Sequence, residues 1–105
     1  MTMLTLNSQR HYLALTVGHQ VFADLHDIWH DWDCDSSKQR YAAKLRGVLA
    51  TLKIANRTMS VGDHWEAAAQ LRVAANLLQA MGHDELIDPL RYIRGAYREL
   101  MDEQP

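Results

Sequence analysis

Apolar residues recur at intervals of three and four positions over most of the chain, which is the spacing of helices that bury one face. The first such segment carries them at Ala14, Val17, Val21, Leu25, Ile28 and Trp32. A second row with a spacing of seven lies beside this stripe and widens it with Leu15, Phe22 and Trp29. The pattern predicts one helix over 8–33, which would be about 40 Å long.

Short polar stretches divide the rest of the chain into three further helical segments. Ser36 with Gln39, and Asp63 with Glu66, have the spacing of capping boxes that begin helices. Gly82 is typical of the left-handed residue that follows the end of a helix. The pattern therefore predicts three more helices, over 36–58, 63–81 and 84–102.

Length and composition limit the ways in which these helices can assemble. The chain has 105 residues, of which 48% are hydrophobic, and a single cysteine, so it can form one modest core and no internal disulfide. Short connections favour antiparallel neighbours. The sequence predicts an all-α, up-down four-helix bundle-like single domain over 1–105, with a long N-terminal helix.

Targeting signals are not evident in the sequence. The segment 1–10 lacks the basic and apolar regions of a secretory signal, and no apolar run approaches the roughly 18 residues of a membrane span. The lone Cys34 fits a reducing compartment. We therefore expect a cytoplasmic protein that does not bind membranes.

Charge is segregated along the chain although the formal net charge is only −2. Residues 36–62 carry six of the eleven Lys and Arg residues and no Asp or Glu, and the segments on both sides are acidic. Arg46, Lys53 and Arg57 lie on one side of the second predicted helix. Such a side can bind an acidic protein surface or phosphate groups, or it can be neutralised by acidic neighbours in the same chain. Neutralisation within the chain is the first expectation for such a run of charges. Among binding partners, the acidic flanks disfavour nucleic acid and favour a protein.

Two tryptophans near the end of the first predicted helix, Trp29 and Trp32, form one large aromatic surface. They belong either to the core or to a surface that a partner covers, since Trp is enriched at interface hot spots. A core position is the first expectation for both rings, and the excess length of the first helix supports the second reading and predicts a homodimer. The predicted partner-binding residues are Trp29, Trp32, Arg46, Lys53 and Arg57.

Metal binding is an alternative that one cluster suggests. His26 and His30 are one helical turn apart, and Asp33 follows close to the next turn. Imidazole and carboxylate side chains with this spacing can converge on one divalent metal ion. No second cluster supplies the remaining ligands unambiguously, so the simpler interpretation is a solvated polar flank.

Catalytic motifs give no support to an enzyme. The chain has no glycine-rich phosphate loop and no Gly-x-Ser-x-Gly motif, and one cysteine cannot form a Cys-x-x-Cys pair. The sequence favours a small non-enzymatic regulatory protein that binds another protein as a homodimer and needs no cofactor. The alternatives are a metal-binding bundle, enzyme or sensor, that uses His26, His30 and Asp33, and a nucleic-acid-binding regulator that uses the basic side of the second helix.

Overall fold

The long apolar stripe at the start of the chain forms one continuous α-helix, α1, over Leu6–Asp33. The computed structural model describes residues 6–102 and, within them, the side chains of 12–101. At 28 residues, α1 is about 42 Å long. It begins two residues earlier than the pattern predicts and ends at the predicted residue.

The break after α1 contains a 3-10 turn over Ser36–Lys38, and α2 follows over Gln39–Ser60. The side chain that caps this turn is Asp35, whose carboxylate accepts the Ser37 N–H at 2.9 Å and the Ser37 hydroxyl at 2.7 Å. The sequence therefore placed the cap one residue too late, at Ser36, because a carboxylate one residue earlier can accept both Ser37 donors. The Gln39 side-chain amide donates to the Asp33 carbonyl at 2.6 Å and ties the turn to the end of α1.

The third and fourth helices begin in different ways. α3 spans His64–Met81, with the predicted Asp63 cap accepting the Glu66 N–H at 3.1 Å and Gly82 in the left-handed conformation after its end. α4 spans Ile87–Asp102. The residues Asp84–Leu86, predicted as its first turn, form a separate 3-10 turn whose cap is the imidazole Nδ1 of His83, accepting the Glu85 N–H at 3.2 Å.

The four helices pack in chain order and close into a ring, because α1 packs on α2, α2 on α3, α3 on α4 and α4 back on α1. The part of the chain that the structure describes contains four α-helices and no strand, which confirms the predicted all-α four-helix bundle. Over residues 6–102, no helix is long and apolar enough to cross a lipid bilayer.

The close approach of α1 and α2 depends on Gly18. The Asn56 side-chain amide donates to the Gly18 carbonyl at 3.1 Å, and a Cβ at position 18 would overlap the Asn56 Oδ1. Asn56 is itself buried, with 6% of its surface exposed. Glycine is therefore required for this contact, which holds the second half of α2 against α1.

The exposed end of α1 is the opposite of the one expected. The sequence suggested that the tryptophan end extends beyond the other helices, but Trp32 is 1% exposed and lies against His83, with ring centroids 4.6 Å apart. Tyr12 and Leu13, near the other end of α1, are 65% and 55% exposed. Residues of both 3-10 turns lie against Trp32, since the Lys38 Nζ is 6.0 Å from its ring centroid and His83 caps the second turn.

Candidate partner-binding groove

The two predicted interface tryptophans have different environments. Trp32 is enclosed by its own chain, with the rings of His83 at 4.6 Å and Tyr41 at 6.0 Å between centroids. It is therefore a core residue and is withdrawn from the predicted partner-binding set. Trp29 is half-buried and lies on the side of α1 that faces α2.

The line along which α1 and α2 meet at the protein surface, here called the seam, is aromatic on its α1 side. Phe22, His26 and Trp29 follow one another at helical spacing, with ring centroids 6.2 Å apart for Phe22 and His26 and 5.4 Å apart for His26 and Trp29. The indole Nε1 of Trp29 is buried and has no hydrogen-bond partner among the described residues. This row presents ring surface to the seam.

On α2, the other side of the seam alternates between apolar and cationic side chains. Leu49 and Ala50 lie between Arg46 and Lys53. The guanidinium of Arg46 lies 5.5 Å from the ring centroid of Trp29, within the range of a cation–π contact. Arg46 therefore bridges the two walls at one end of the seam.

Two adjacent cavities lie along this seam and share Phe22 and Lys53. The first is about 270 Å³ and is lined by Phe22, His26, Trp29, Arg46, Leu49, Ala50 and Lys53. The second is about 360 Å³ and is lined by His19, Phe22, Lys53, Asn56, Arg57 and Ser60. Together they form one continuous depression, here called the α1–α2 groove. Four of the five predicted partner-binding residues line it.

The cations of the groove are only partly neutralised by the chain. The Arg46 Nη2 lies 3.9 Å from the Asp33 Oδ1, and both side chains are largely exposed, which makes this a weak ion pair. Among the described residues, no carboxylate lies within ion-pair distance of Lys53 or Arg57. Self-neutralisation, which the sequence left open, therefore does not account for these two charges.

Three of the four acidic residues of α1 project away from the groove, and the fourth, Asp33, lies beside Arg46. At about 100° per residue, Asp24, Asp27 and Asp31 point about 140–200° away from Phe22 around the helix axis. They lie on the opposite flank of α1, and all three are exposed. The groove is consequently positive although the formal net charge of the chain is −2.

The predicted metal cluster does not form. Within the side chains that the structure describes, no group of three His, Cys, Asp or Glu residues is arranged to hold a metal ion. His26 is occupied by ring contacts with Phe22 and Trp29, and Asp33 is directed toward Arg46. His30 is exposed on α1. The helical spacing of His26, His30 and Asp33 is thus not enough to bring their ligand atoms together.

Several groove residues were not singled out by the sequence as part of a binding surface. Phe22 was assigned to the apolar stripe, and Leu49, Ala50 and Asn56 carried no signal of their own. The signal that could have found Phe22 is its spacing of seven from Trp29, which is the same as that of Arg46 from Lys53 on the facing helix.

Comparison of the chain with protein-family models, with curated proteins and with solved structures finds no match. Its class therefore rests on the fold and the groove. It is an all-α four-helix bundle that carries an apolar, cation-flanked groove between its first two helices.

Proposed function

We propose that this chain is a non-enzymatic interaction protein that binds a partner protein in the α1–α2 groove. The observation that carries the proposal is the combination of an apolar floor, formed by Phe22, Trp29 and Leu49, with Lys53 and Arg57 free of carboxylate partners among the described residues. Aromatic and arginine side chains at the centre of a desolvated patch contribute most to protein–protein affinity.

The lining of the groove favours a protein over nucleic acid. Single-stranded nucleic acids bind in cationic grooves where several bases stack on freely exposed rings and several phosphates are contacted. Here Trp29 is half-buried and covered on one face by Arg46, and the opposite flank of α1 is acidic. An apolar floor with a few cations suits a folded or folding peptide segment.

The proposal is tested by site-specific photocrosslinking in the cells that produce the chain. A benzophenone amino acid at Ala50, in the floor of the groove, should give a discrete protein adduct, and the same group at Asp27 should not. Asp27 is exposed on the opposite flank of α1 and lies on neither the groove nor the outer face of α2 and α3. The adduct is identified by mass spectrometry, and its complex with the chain is then reconstituted from purified components. Equal adduct patterns from both positions, or no complex on reconstitution, would contradict the proposal.

We propose in addition that two chains associate through the outer face of α2 and α3. A cavity of about 380 Å³ lies there, lined by Lys44, Gly47 and neighbouring residues of both helices. Val73 and Leu77 are 46% and 41% exposed beside it. An exposed apolar face of this kind, rimmed by polar residues, is typical of an interaction surface.

Charge complementarity supports a second copy as the occupant of this face. Lys44 lies at one end, and Glu66 lies at the other, about three helical turns before Leu77 and on the same line of α3. A two-fold axis perpendicular to the helices places the Lys44 end of one copy against the Glu66 end of the other. Opposite charges then meet at both ends of the interface.

A charge swap tests this association. Sedimentation of the unchanged chain should show a dimer, and Lys44→Glu should shift it toward the monomer because like charges then meet at both ends. The double variant with Lys44→Glu and Glu66→Lys should restore the dimer. A monomer at all concentrations, or a dimer that is indifferent to Lys44→Glu, would contradict the arrangement.

A further inference from the structure

The cations of the α1–α2 groove follow the repeat of a helix. Arg46, Lys53 and Arg57 are separated by seven and four residues, so they form a nearly straight row about 16 Å long on one side of α2. The side chains of a second helix that lies along the groove recur with the same period. Carboxylates spaced by seven and four residues on that helix would meet all three cations in register.

The floor of the groove has the same repeat. Phe22 and Trp29 are seven residues apart on α1, and Leu49 and Ala50 face them from α2. Ridges of one helix pack into grooves of another when apolar side chains recur at three, four and seven positions. The floor therefore matches an apolar stripe on the same occupant.

The length of the groove also fits a helix. Its lining on α2 runs from Arg46 to Ser60, which corresponds to about 21 Å, or about four helical turns. The two cavities have volumes of about 270 and 360 Å³ and lie side by side along this line. These two volumes can accommodate a row of side chains from one helix.

From these observations, and resting on the proposed function of the groove, we infer that its occupant is an acidic amphipathic helix of the partner protein. The apolar stripe of that helix packs between Phe22, Trp29 and Leu49. Its flanking carboxylates pair with Lys53 and Arg57, and one of them displaces Asp33 from the weak 3.9 Å contact with Arg46. This is the helix-in-groove mode of recognition, with specificity supplied by charge.

The experiment uses three model peptides of about four to five turns that carry a fluorescent label. The first has a leucine stripe at helical spacing flanked by glutamates, the second has lysines in place of the glutamates, and the third has the composition of the first in scrambled order. Fluorescence anisotropy against the full chain measures each affinity. The glutamate peptide is expected to bind at least about tenfold more tightly than the other two, and more weakly as salt is raised.

Protein variants locate the binding to the groove. The double variant with Lys53→Glu and Arg57→Glu should lose the glutamate peptide and gain the lysine peptide, and this reversal cannot result from unfolding. Arg40→Glu, a charge reversal of the same kind outside the groove, should leave the affinity for the glutamate peptide within about twofold.

Three outcomes would overturn the inference. Equal binding of the glutamate and lysine peptides would mean that charge does not select the occupant. A loss of glutamate-peptide binding as the concentration of the chain is raised would mean that a second copy of the chain occupies the groove. Absence of peptide binding together with a reconstituted Ala50 crosslink complex would reject the helix but leave the proposed function standing, whereas absence of both would reject both.

Discussion

Single residues decide how closely the first two helices approach. Gly18 has no side chain at the point where the Asn56 amide donates to its carbonyl at 3.1 Å, and Asn56 is the buried polar side chain on which that contact depends. The groove lies along the same seam, since Asn56 lines one of its cavities. Packing at position 18 therefore affects both stability and the shape of the candidate site.

Gly18→Ala is expected to destabilise the chain by roughly 1–3 kcal/mol. The new Cβ overlaps the Asn56 side chain, and overpacking together with a broken buried hydrogen bond outweighs the gain in helix propensity of about 1 kcal/mol. Urea denaturation followed by circular dichroism measures the change. The matched control is Gly95→Ala in α4, where no atom lies within 4 Å of the added Cβ, and there the unfolding free energy should rise by up to about 1 kcal/mol. A stable Gly18→Ala variant would contradict the described contact.

The two tryptophans of α1 should respond differently to truncation. Trp32→Ala removes a ring that is 1% exposed and in contact with His83 and Tyr41, so a loss of about 3–5 kcal/mol is expected. Trp29→Ala should cost roughly half of that or less, since this ring is half-buried. Denaturation curves of both variants test the order, and similar losses would mean that Trp29 is a core residue as well.

At the scale of elements, the turns between helices position the ends of the bundle. The turn before α2 is held by Asp35, and the turn before α4 is held by the His83 imidazole, which also packs on Trp32. Both turns lie at the same end of the molecule and cover the end of α1. This explains why the tryptophan end of the longest helix is buried rather than free for a partner.

The Asp35 cap predicts a pH dependence of stability. Hydrogen bonds from the Ser37 hydroxyl and the Ser37 N–H hold the pKa of the Asp35 carboxyl below its usual value of 3.8. Because the folded pKa is lower than the unfolded one, the cap stabilises the fold above about pH 4, and that stabilisation is lost as the pH falls through the folded pKa. The unfolding free energies of the unchanged chain and of Asp35→Ala should therefore differ at neutral pH and converge in acid. A difference that is constant with pH would show that the carboxylate charge does not matter.

For the whole molecule, charge is divided between two flanks of α1. The groove side carries Arg46, Lys53 and Arg57 of α2, and the opposite flank carries the exposed Asp24, Asp27 and Asp31. Attraction of an acidic partner is therefore directional even though the net charge is −2.

This distribution leads us to expect no measurable binding of mixed-sequence DNA or RNA, even at low salt, where phosphate contacts are strongest. Three cations beside an apolar floor offer few phosphate contacts, and the acidic flank repels the strand. Gel-shift titrations with single- and double-stranded probes measure this. Salt-dependent binding that is lost in Lys53→Glu would contradict the expectation and favour the nucleic-acid alternative.

Helical periodicity made most of the fold predictable. The spacing of Val21, Leu25 and Trp32 gave the buried face of α1, and Asp63 and Gly82 marked the two ends of α3 within one residue. The exact starts of α2 and α4 were missed, because 3-10 turns with their own caps precede both helices. Asp and Ser are nearly equally favourable as N-caps, so local sequence does not separate Asp35 from Ser36.

The candidate site was predictable in its residue types but not in its location. Trp29, Arg46, Lys53 and Arg57 were named from aromatic and cationic spacing, and they line one groove. Trp32 was assigned with them and lies in the core, and His26, His30 and Asp33 were grouped although they do not converge. Spacing along one helix predicts which of its side chains share a face. The packing of the neighbouring helix determines which residues that face contacts.

The sequence by itself determined four helices, their order and the concentration of positive charge on the second of them. These properties follow from local spacing, capping and composition, which act over a few residues. The tertiary structure decided that Asp24, Asp27 and Asp31 of α1 point away from those cations and that Phe22 and Trp29 face Leu49 and Ala50. The physical reason is that the rotation of α1 about its axis is fixed by burial of the whole stripe and by the Gly18–Asn56 contact, which join residues far apart in the chain.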